Sequence, residues 1–340
     1  MKRWVVGILA GISLLMGGLT AQAESNHFSA QAVLPDNQID KKVTYFDLLV
    51  KPGEYQKVTV KINNGDTKSH QYDVQTHLAT TSDNGNVVYD STGKHADDSL
   101  KFNLAPATST VKTLTVPAKQ SLLVNMKVKI PAKQFPGVAL GGVNVTQHVA
   151  KDRNKKGVSI QNQFGYTIGL QLREAKVLTV KPDLKLLSAG PIQVNYRNYI
   201  AAKLQNPRAV IMRDFKVNGY VTKKGDSKKL LKTVKDKMTM APNSHFNYAL
   251  GDGTKQLEAG HYVMHIKASA ENGKYKWNLS KPFTITAKKA SDMNGTSIYK
   301  PEKTTNWTLV AILAAVIIIL IGLLIWVILK NRRRRDEDEK

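Results

Sequence analysis

His261 and His265 stand four residues apart in the run His261-Tyr262-Val263-Met264-His265. On a helix that spacing would place two imidazoles on one face, as a zinc hydrolase requires, with a glutamate after the first histidine as general base. Tyr262 occupies that place, and apolar residues alternate through the run, so the pair is expected on a strand edge without a metal. Asp97-Asp98 is an adjacent carboxylate pair, and a glycosidase holds two carboxyl groups about 5 to 10 Å apart. This pair falls in a polar loop, where solvation accounts for it. Gly251-Asp252-Gly253-Thr254-Lys255 is glycine-rich but lacks the spacing of a phosphate cradle, and no Gly-x-Ser-x-Gly elbow occurs. The chain has no cysteine, which removes thiolate nucleophiles, thiolate metal clusters and disulfides together. No catalytic, metal or cofactor residue is assigned, and the expected activity is binding rather than catalysis.

Charge supplies the other chemistry. Fifty Lys and Arg face 26 Asp and Glu, for a formal charge of +24. Such a balance favours anionic partners. Its densest cluster is Lys223-Lys224-Gly225-Asp226-Ser227-Lys228-Lys229, where Lys223, Lys224, Lys228 and Lys229 could hold phosphate or a carboxylate polymer as point charges. An exposed hairpin kept soluble by edge lysines reads equally well. Tyr45-Phe46, Tyr196, Tyr199, Tyr275 and Trp277 could stack on sugars, but single aromatics in sandwiches usually belong to the core, so no sugar site is drawn from them.

The two ends decide the compartment. Lys2 and Arg3 precede an apolar run from Trp4 to Leu19, and Ala21-Gln22-Ala23 has the small-x-small pattern of a signal peptidase site, so residues 1–23 are expected to be removed after Ala23. Trp307 to Leu329 carries no charge; as a helix it reaches about 34 Å, enough for a hydrocarbon core of about 30 Å. Lys330 and Arg332 to Arg335 follow at once, which keeps residues 330–340 inside as a short basic and acidic tail. Between residues 24 and 306 the chain holds 42 cations and 22 anions, a formal +20 outside the cell. Nucleic acid is a poor partner there. A cysteine-free exported protein fits a bacterial surface, and a Gram-positive envelope rich in phosphate polymers suits the charge.

The elements that carry these residues are strands. Leu122, Val124, Met126, Val128 and Ile130 alternate with polar residues; Val58, Val60 and Ile62, and Tyr72 to Leu78, repeat the pattern. Pro52-Gly53, Asn63-Asn64-Gly65, Asp83-Asn84-Gly85 and Pro136-Gly137 punctuate them. After Lys181-Pro182 a second series includes Ile192 to Tyr196, Phe215 to Val217, Tyr262 to Ile266 and Phe283 to Ile285. No capped amphipathic helix stands out before the apolar segment. The fold class expected is all-β, with two tandem immunoglobulin-like β-sandwiches at 24–181 and 182–287, a polar stalk at 288–306 and the membrane helix at 307–329. The second sandwich, with 18 cations and 7 anions, is the more basic.

An ordered set of short motifs spans almost the whole chain. Phe28 and Asn37-Gln38 are followed by Tyr45-Phe46-Asp47-Leu48, Pro52-Gly53, Asn63-Asn64, Ala79-Thr80, Phe135-Pro136-Gly137 and Leu140-Gly141-Gly142. Then come Leu204-Gln205-Asn206-Pro207, Met240-Ala241-Pro242-Asn243-Ser244, Phe246, Gly260-His261-Tyr262, Trp277 and Phe283. With the signal, the span and the basic tail, this order resembles the WxL-interacting proteins, membrane-anchored partners of WxL-domain surface proteins in low-GC Gram-positive bacteria. The resemblance implies a first domain that binds peptidoglycan, a second that binds host or surface ligands, and complexes with WxL-domain proteins. It carries over no individual binding residue. The reading is a non-enzymatic surface scaffold whose partners are WxL-domain proteins, peptidoglycan and anionic wall polymers. A host-matrix adhesin acting through the second domain is the alternative, and a carbohydrate-active enzyme the third. The turn motifs Pro52-Gly53, Gly141-Gly142 and Pro242-Asn243 are expected to be architectural.

Overall fold

A computed structural model of the chain describes residues 27–89, 96–109, 111–148, 164–300 and 307–338. The expected cleavage after Ala23 lies outside the described residues. The alternating runs form strands that close into two sandwiches. In the first, β1 (Phe28–Val33), β3 (Tyr55–Asn64) and β8 (Ser121–Lys129) make one sheet in the order β1-β3-β8. The facing sheet holds β2 (Phe46–Leu49), β4 (His70–Leu78), β7 (Val111–Val116), β9 (Ala139–Gln147) and β10 (Gly165–Arg173), in the order β2-β10-β9-β4-β7. All pairings are antiparallel except β2 with β10. Val58, Val60, Ile62, Tyr72, Leu170 and Leu172 are fully buried between the sheets, the inward half of each alternation.

The second sandwich packs β11 (Lys185–Val194), β12 (Arg197–Asn206) and β15 (Ser244–Leu250) against a four-stranded sheet in the order β14-β13-β16-β17. Those four are β13 (Met212–Lys223), β14 (Leu231–Met240), β16 (Gly260–Ala270) and β17 (Tyr275–Ile285). Phe215, Met240, Tyr248, Met264 and Ile266 fill its centre. Two immunoglobulin-like sandwiches therefore follow one another, as the alternation predicts. The strand expected to run through Tyr196 stops at Val194, because Asn195 and Tyr196 turn with φ of 49° and 58°.

Residues 288–306 do not begin as a polar stalk. A helix, Ala287–Thr296, is capped by Thr286, whose hydroxyl accepts from the Lys289 N–H, and Ala290 and Met293 are buried against the second core. Asn198 and Gln193 donate to the Met293 carbonyl, and Asn294 exchanges side-chain hydrogen bonds with the Leu257 backbone. Only two apolar side chains face the sheet, a stripe too narrow for sequence periodicity to register. A final helix, Trp307–Asp338, contains the segment Ala311–Ile328, whose mean hydropathy is 3.3 and none of which is buried against the rest of the protein.

The two sandwiches meet in a built joint. The hairpin of β5 (Thr80–Thr81) and β6 (Val87–Val88) projects from the first sandwich to the edges of β14 and β15. There the Thr239 N–H donates to the Gly85 carbonyl, the Asn247 N–H to the Asp83 carboxylate, and Thr81 and Ser244 share a hydroxyl contact of 2.6 Å. Ala79, Val138, Leu140 and Ala241 form a small apolar cluster at its centre. A Cβ at Gly137 would fall 2.0 Å from the Ala209 carbonyl oxygen, and one at Gly85 2.3 Å from Met238 Sδ, so both positions require glycine for close approach as well as for positive φ. Pro242-Asn243, expected to be architectural, and Phe135-Pro136-Gly137 both lie at this contact between the sandwiches.

Candidate functional site

On the outer face of the first sandwich, Gly142 of β9 and Gly169 of β10 are opposite one another in the ladder, leaving a patch of sheet with no side chains. Tyr45 lies against Gly169, where an added Cβ would sit 3.5 Å from the tyrosine Cβ. Tyr89 lies so tightly on Gly142 that an added Cβ would fall 2.8 Å from its Cβ. These two rings line a cleft of about 520 Å³, whose inner wall includes Tyr166 of β10, its ring packed edge-on against Phe28 of the core. Gln31, Thr44, Thr167 and Gln171 supply amide and hydroxyl groups, and Ile211 and Arg213 enter from the second sandwich. Burial pushes the Tyr89 hydroxyl pKa up; the neighbouring Tyr45 hydroxyl adds to the rise and Arg213 opposes it, so the three groups share one electrostatic neighbourhood.

The segment that carries Tyr45 is held from below. Gln38 donates to the carbonyls of Asp40 and Tyr45 and accepts from the Asp47 N–H. Asp47 is buried and takes a bidentate pair from Arg173, Nε to Oδ1 at 2.9 Å and Nη2 to Oδ2 at 2.6 Å, plus the Gln171 amide at 2.7 Å. A guanidinium fork on a carboxylate fixes both direction and distance. The Asn37-Gln38 and Tyr45-Phe46-Asp47 motifs are therefore one bracket that presents Tyr45 at the mouth of the cleft. Such a surface can stack flat, weakly polar rings and hydrogen-bond their substituents, with one cation at the rim; it contains no acid–base pair for hydrolysis.

Apart from Tyr45, the charged and histidine residues singled out from sequence are elsewhere. Lys223, Lys224, Lys228 and Lys229 lie on the β13–β14 hairpin, all exposed. Lys223 pairs with Glu258 at 3.6 Å and Lys229 rests 4.9 Å above the Tyr220 ring, so the four do not converge on one point. His261 bonds Thr284 and His265 bonds Thr222 while stacking on Tyr220, on a strand as expected. No group of three potential metal ligands occurs among the described residues. Asp97 is the clear departure. It is not solvated but buried at the joint, where His245 at 2.6 Å, Gln205 at 2.8 Å and Ser99 surround its carboxylate. Phe46 is core, whereas Tyr89 and Tyr166 join Tyr45 at the cleft. Nothing in the spacing of the three tyrosines, 44 and 77 residues from first to second and second to third, signals their convergence.

Residues 28–147 match the family model described as WxL Interacting Protein, peptidoglycan binding domain, and residues 155–295 match WxL Interacting Protein, host binding domain. Together they take in both sandwiches. The chain belongs to the WxL-interacting protein family. No curated protein matches this WxL-interacting protein. Among solved structures it is similar to the E. coli chaperone DraB, at 14% identity over 76% of this chain and 98% of that one, with a TM-score of 0.30. It is similar also to the Pseudomonas aeruginosa CupB2 chaperone, at 12% identity over 70% and 96%, with a TM-score of 0.28. The host-binding match begins before β10, yet β10 pairs with β9 and β2, so the first sandwich is completed by residues assigned to the second family domain. The protein carries a peptidoglycan-binding and a host-binding domain, a cell-surface binding role and, among the described residues, one helix long and apolar enough to cross a membrane, near its C-terminal end.

Proposed function

We propose that this WxL-interacting protein is a non-enzymatic scaffold at a Gram-positive surface, anchored by Trp307 to Leu329, that grips peptidoglycan and retains WxL-domain proteins which lack an anchor of their own. The observation that carries the reading is the succession of the two family domains, joined through a built contact and followed by an apolar helix with a basic flank. The flank at Lys330 to Arg335 favours a cytoplasmic tail and external sandwiches. Full-length protein in nanodiscs, mixed with purified sacculi and with a WxL-domain protein, should retain both and release no soluble sugar. Capture of the WxL-domain protein without sacculi would dismiss the wall-binding half; capture of sacculi alone would dismiss the tether.

A second reading, host-matrix adhesion through the second sandwich, is favoured by the host-binding match. Retention of immobilised matrix proteins, lost when residues of the β13–β14 hairpin such as Lys223, Lys224, Lys228 and Lys229 are changed to glutamine, would support it. For the WxL partner we favour strand addition, in which a partner strand pairs with a sheet edge. In the second sandwich the β5–β6 hairpin already occupies the edges of β14 and β15, and Ser109 bonds across the edge of β8. In the first sandwich Asn37 to Ile39 already bonds along the outer edge of β2, which leaves the terminal strands β1 and β7 as its leading edges.

A further inference from the structure

We infer that the glycan seat of this protein is shared between its two sandwiches: Tyr45 and Tyr89 stack the sugar rings of an N-acetylated glycan strand, and Arg213 receives a carboxylate carried by that strand. The inference rests on the wall-binding reading above and gives it an address. Two phenol rings at one cleft present apolar faces with polar tips, which suits pyranose rings that are apolar on their C–H faces and hydroxylated at their edges. Gly169 leaves room beside Tyr45, which remains 40% exposed although the Gln38, Asp47 and Arg173 bracket fixes its backbone. An exposed aromatic held by a buried ion pair has already lost the freedom that binding would otherwise remove.

The polar groups are of the matching kind. Gln31 and Gln171 are amides suited to acetamido groups, Thr44 and Thr167 are hydroxyls, and among the described side chains lining the cleft no carboxylate opposes an acidic ligand. Arg213 makes no ion pair among the described residues; its backbone, not its guanidinium, is engaged by Glu271. A peptidoglycan strand alternates N-acetylated sugars and carries lactyl-linked peptides with free carboxylates, so it offers both chemistries, and the first sandwich matches a peptidoglycan-binding family domain. Arg213 belongs to β13, so the site is complete only while the joint holds Ile211 and Arg213 beside Leu140 and Tyr89.

The test uses full-length protein in nanodiscs and calorimetric titration with two soluble probes, chitotetraose and a disaccharide-tetrapeptide released from peptidoglycan. Tyr45→Ala and Tyr89→Ala should each weaken both probes at least tenfold, while Tyr45→Phe, which keeps the ring, should stay within about threefold. Arg213→Gln should weaken the carboxylate-bearing probe at least fivefold and leave chitotetraose unchanged. Unaltered thermal unfolding of each variant establishes that it is folded. If wild-type protein is not retained by intact sacculi, the wall-binding reading fails and the seat with it. If sacculi retain wild type but the alanine variants bind both probes normally, or neither probe binds wild type, the seat alone is overturned. A silent Arg213→Gln with sensitive tyrosines would overturn the sharing between sandwiches.

Discussion

At the scale of residues, the bracket under Tyr45 concentrates most of the risk. Asp47 and Arg173 are both largely shielded from water, and truncating one partner leaves the other's charge buried without compensation. Arg173→Ala should destabilise the first sandwich by about 3 kcal/mol in urea unfolding, and Asp47→Leu with Arg173→Met should cost less than Arg173→Ala alone, since removing both charges leaves none stranded. Tyr248 poses the opposite problem. Its hydroxyl donates to the Thr233 and Val217 carbonyls inside the second core, and burial pushes its pKa up to about 12. A folded pKa above the unfolded value near 10 means that this contribution is fully present below pH 10 and is lost as pH climbs towards 12. The melting temperature of the second sandwich should fall across that interval in wild type, and the fall should be shallower in Tyr248→Phe.

Among elements, the β5–β6 hairpin decides how the sandwiches stand to one another. Its tip turns at Gly85 with φ of 81° directly against Met238. Gly85→Ala adds a Cβ both to a left-handed backbone and to a place 2.3 Å from sulfur, so the hairpin must withdraw from β14. We expect the variant to unfold in two calorimetric steps where wild type shows one, and to be cut by protease between the sandwiches. The edge strands carry the other prediction at this scale. Proline at successive positions of β1 removes amide donors without a large change of side chain; loss of WxL-protein capture by a variant with normal far-ultraviolet dichroism would fit strand addition. Tolerance along the whole of both β1 and β7 would exclude it.

Across the whole molecule, Asp97 makes the joint sensitive to acid. Burial pushes its carboxyl pKa up, but hydrogen bonds from Ser99, His245 and Gln205 outweigh that and hold it below its ordinary 3.8. A depressed acid stabilises the folded joint above pH 3.8, and that contribution disappears as pH falls through the lower folded value. Domain separation followed by small-angle scattering should therefore begin below pH 4 in wild type, whereas in Asp97→Asn that pH dependence should be lost. Charge also acts at this scale. Lys216, Lys267 and Lys276 surround a shallow hollow on the outer face of the four-stranded sheet of the second sandwich and add to the formal +20 of residues 24–306. Exposed charges are screened over about 8 Å at physiological ionic strength, so binding to sacculi should weaken in high salt, while binding of uncharged chitotetraose should not.

Alternation with period two, proline and glycine punctuation, and a charge-free segment near the C-terminal end are local properties, and they sufficed for two sandwiches and an apolar helix. The order of the short motifs sufficed for the family. Contacts between distant residues were not legible in this way. Tyr45, Tyr89, Tyr166 and Arg213 meet because β9 and β10 pair in a register that places two glycines side by side, and because a hairpin 160 residues from Ala241 in sequence docks beside it. Asp97 reads as a solvated loop residue for the same reason: its partners His245 and Gln205 come from another domain, more than 100 residues away. Helix 287–296 leaves no mark in the sequence pattern because two buried side chains give no period, yet hydrogen bonds from Asn198, Gln193 and Asn294 make them sufficient. Pattern reveals which face of a strand is buried; which faces meet across the molecule depends on register and docking, and those are settled only when all the strands have closed.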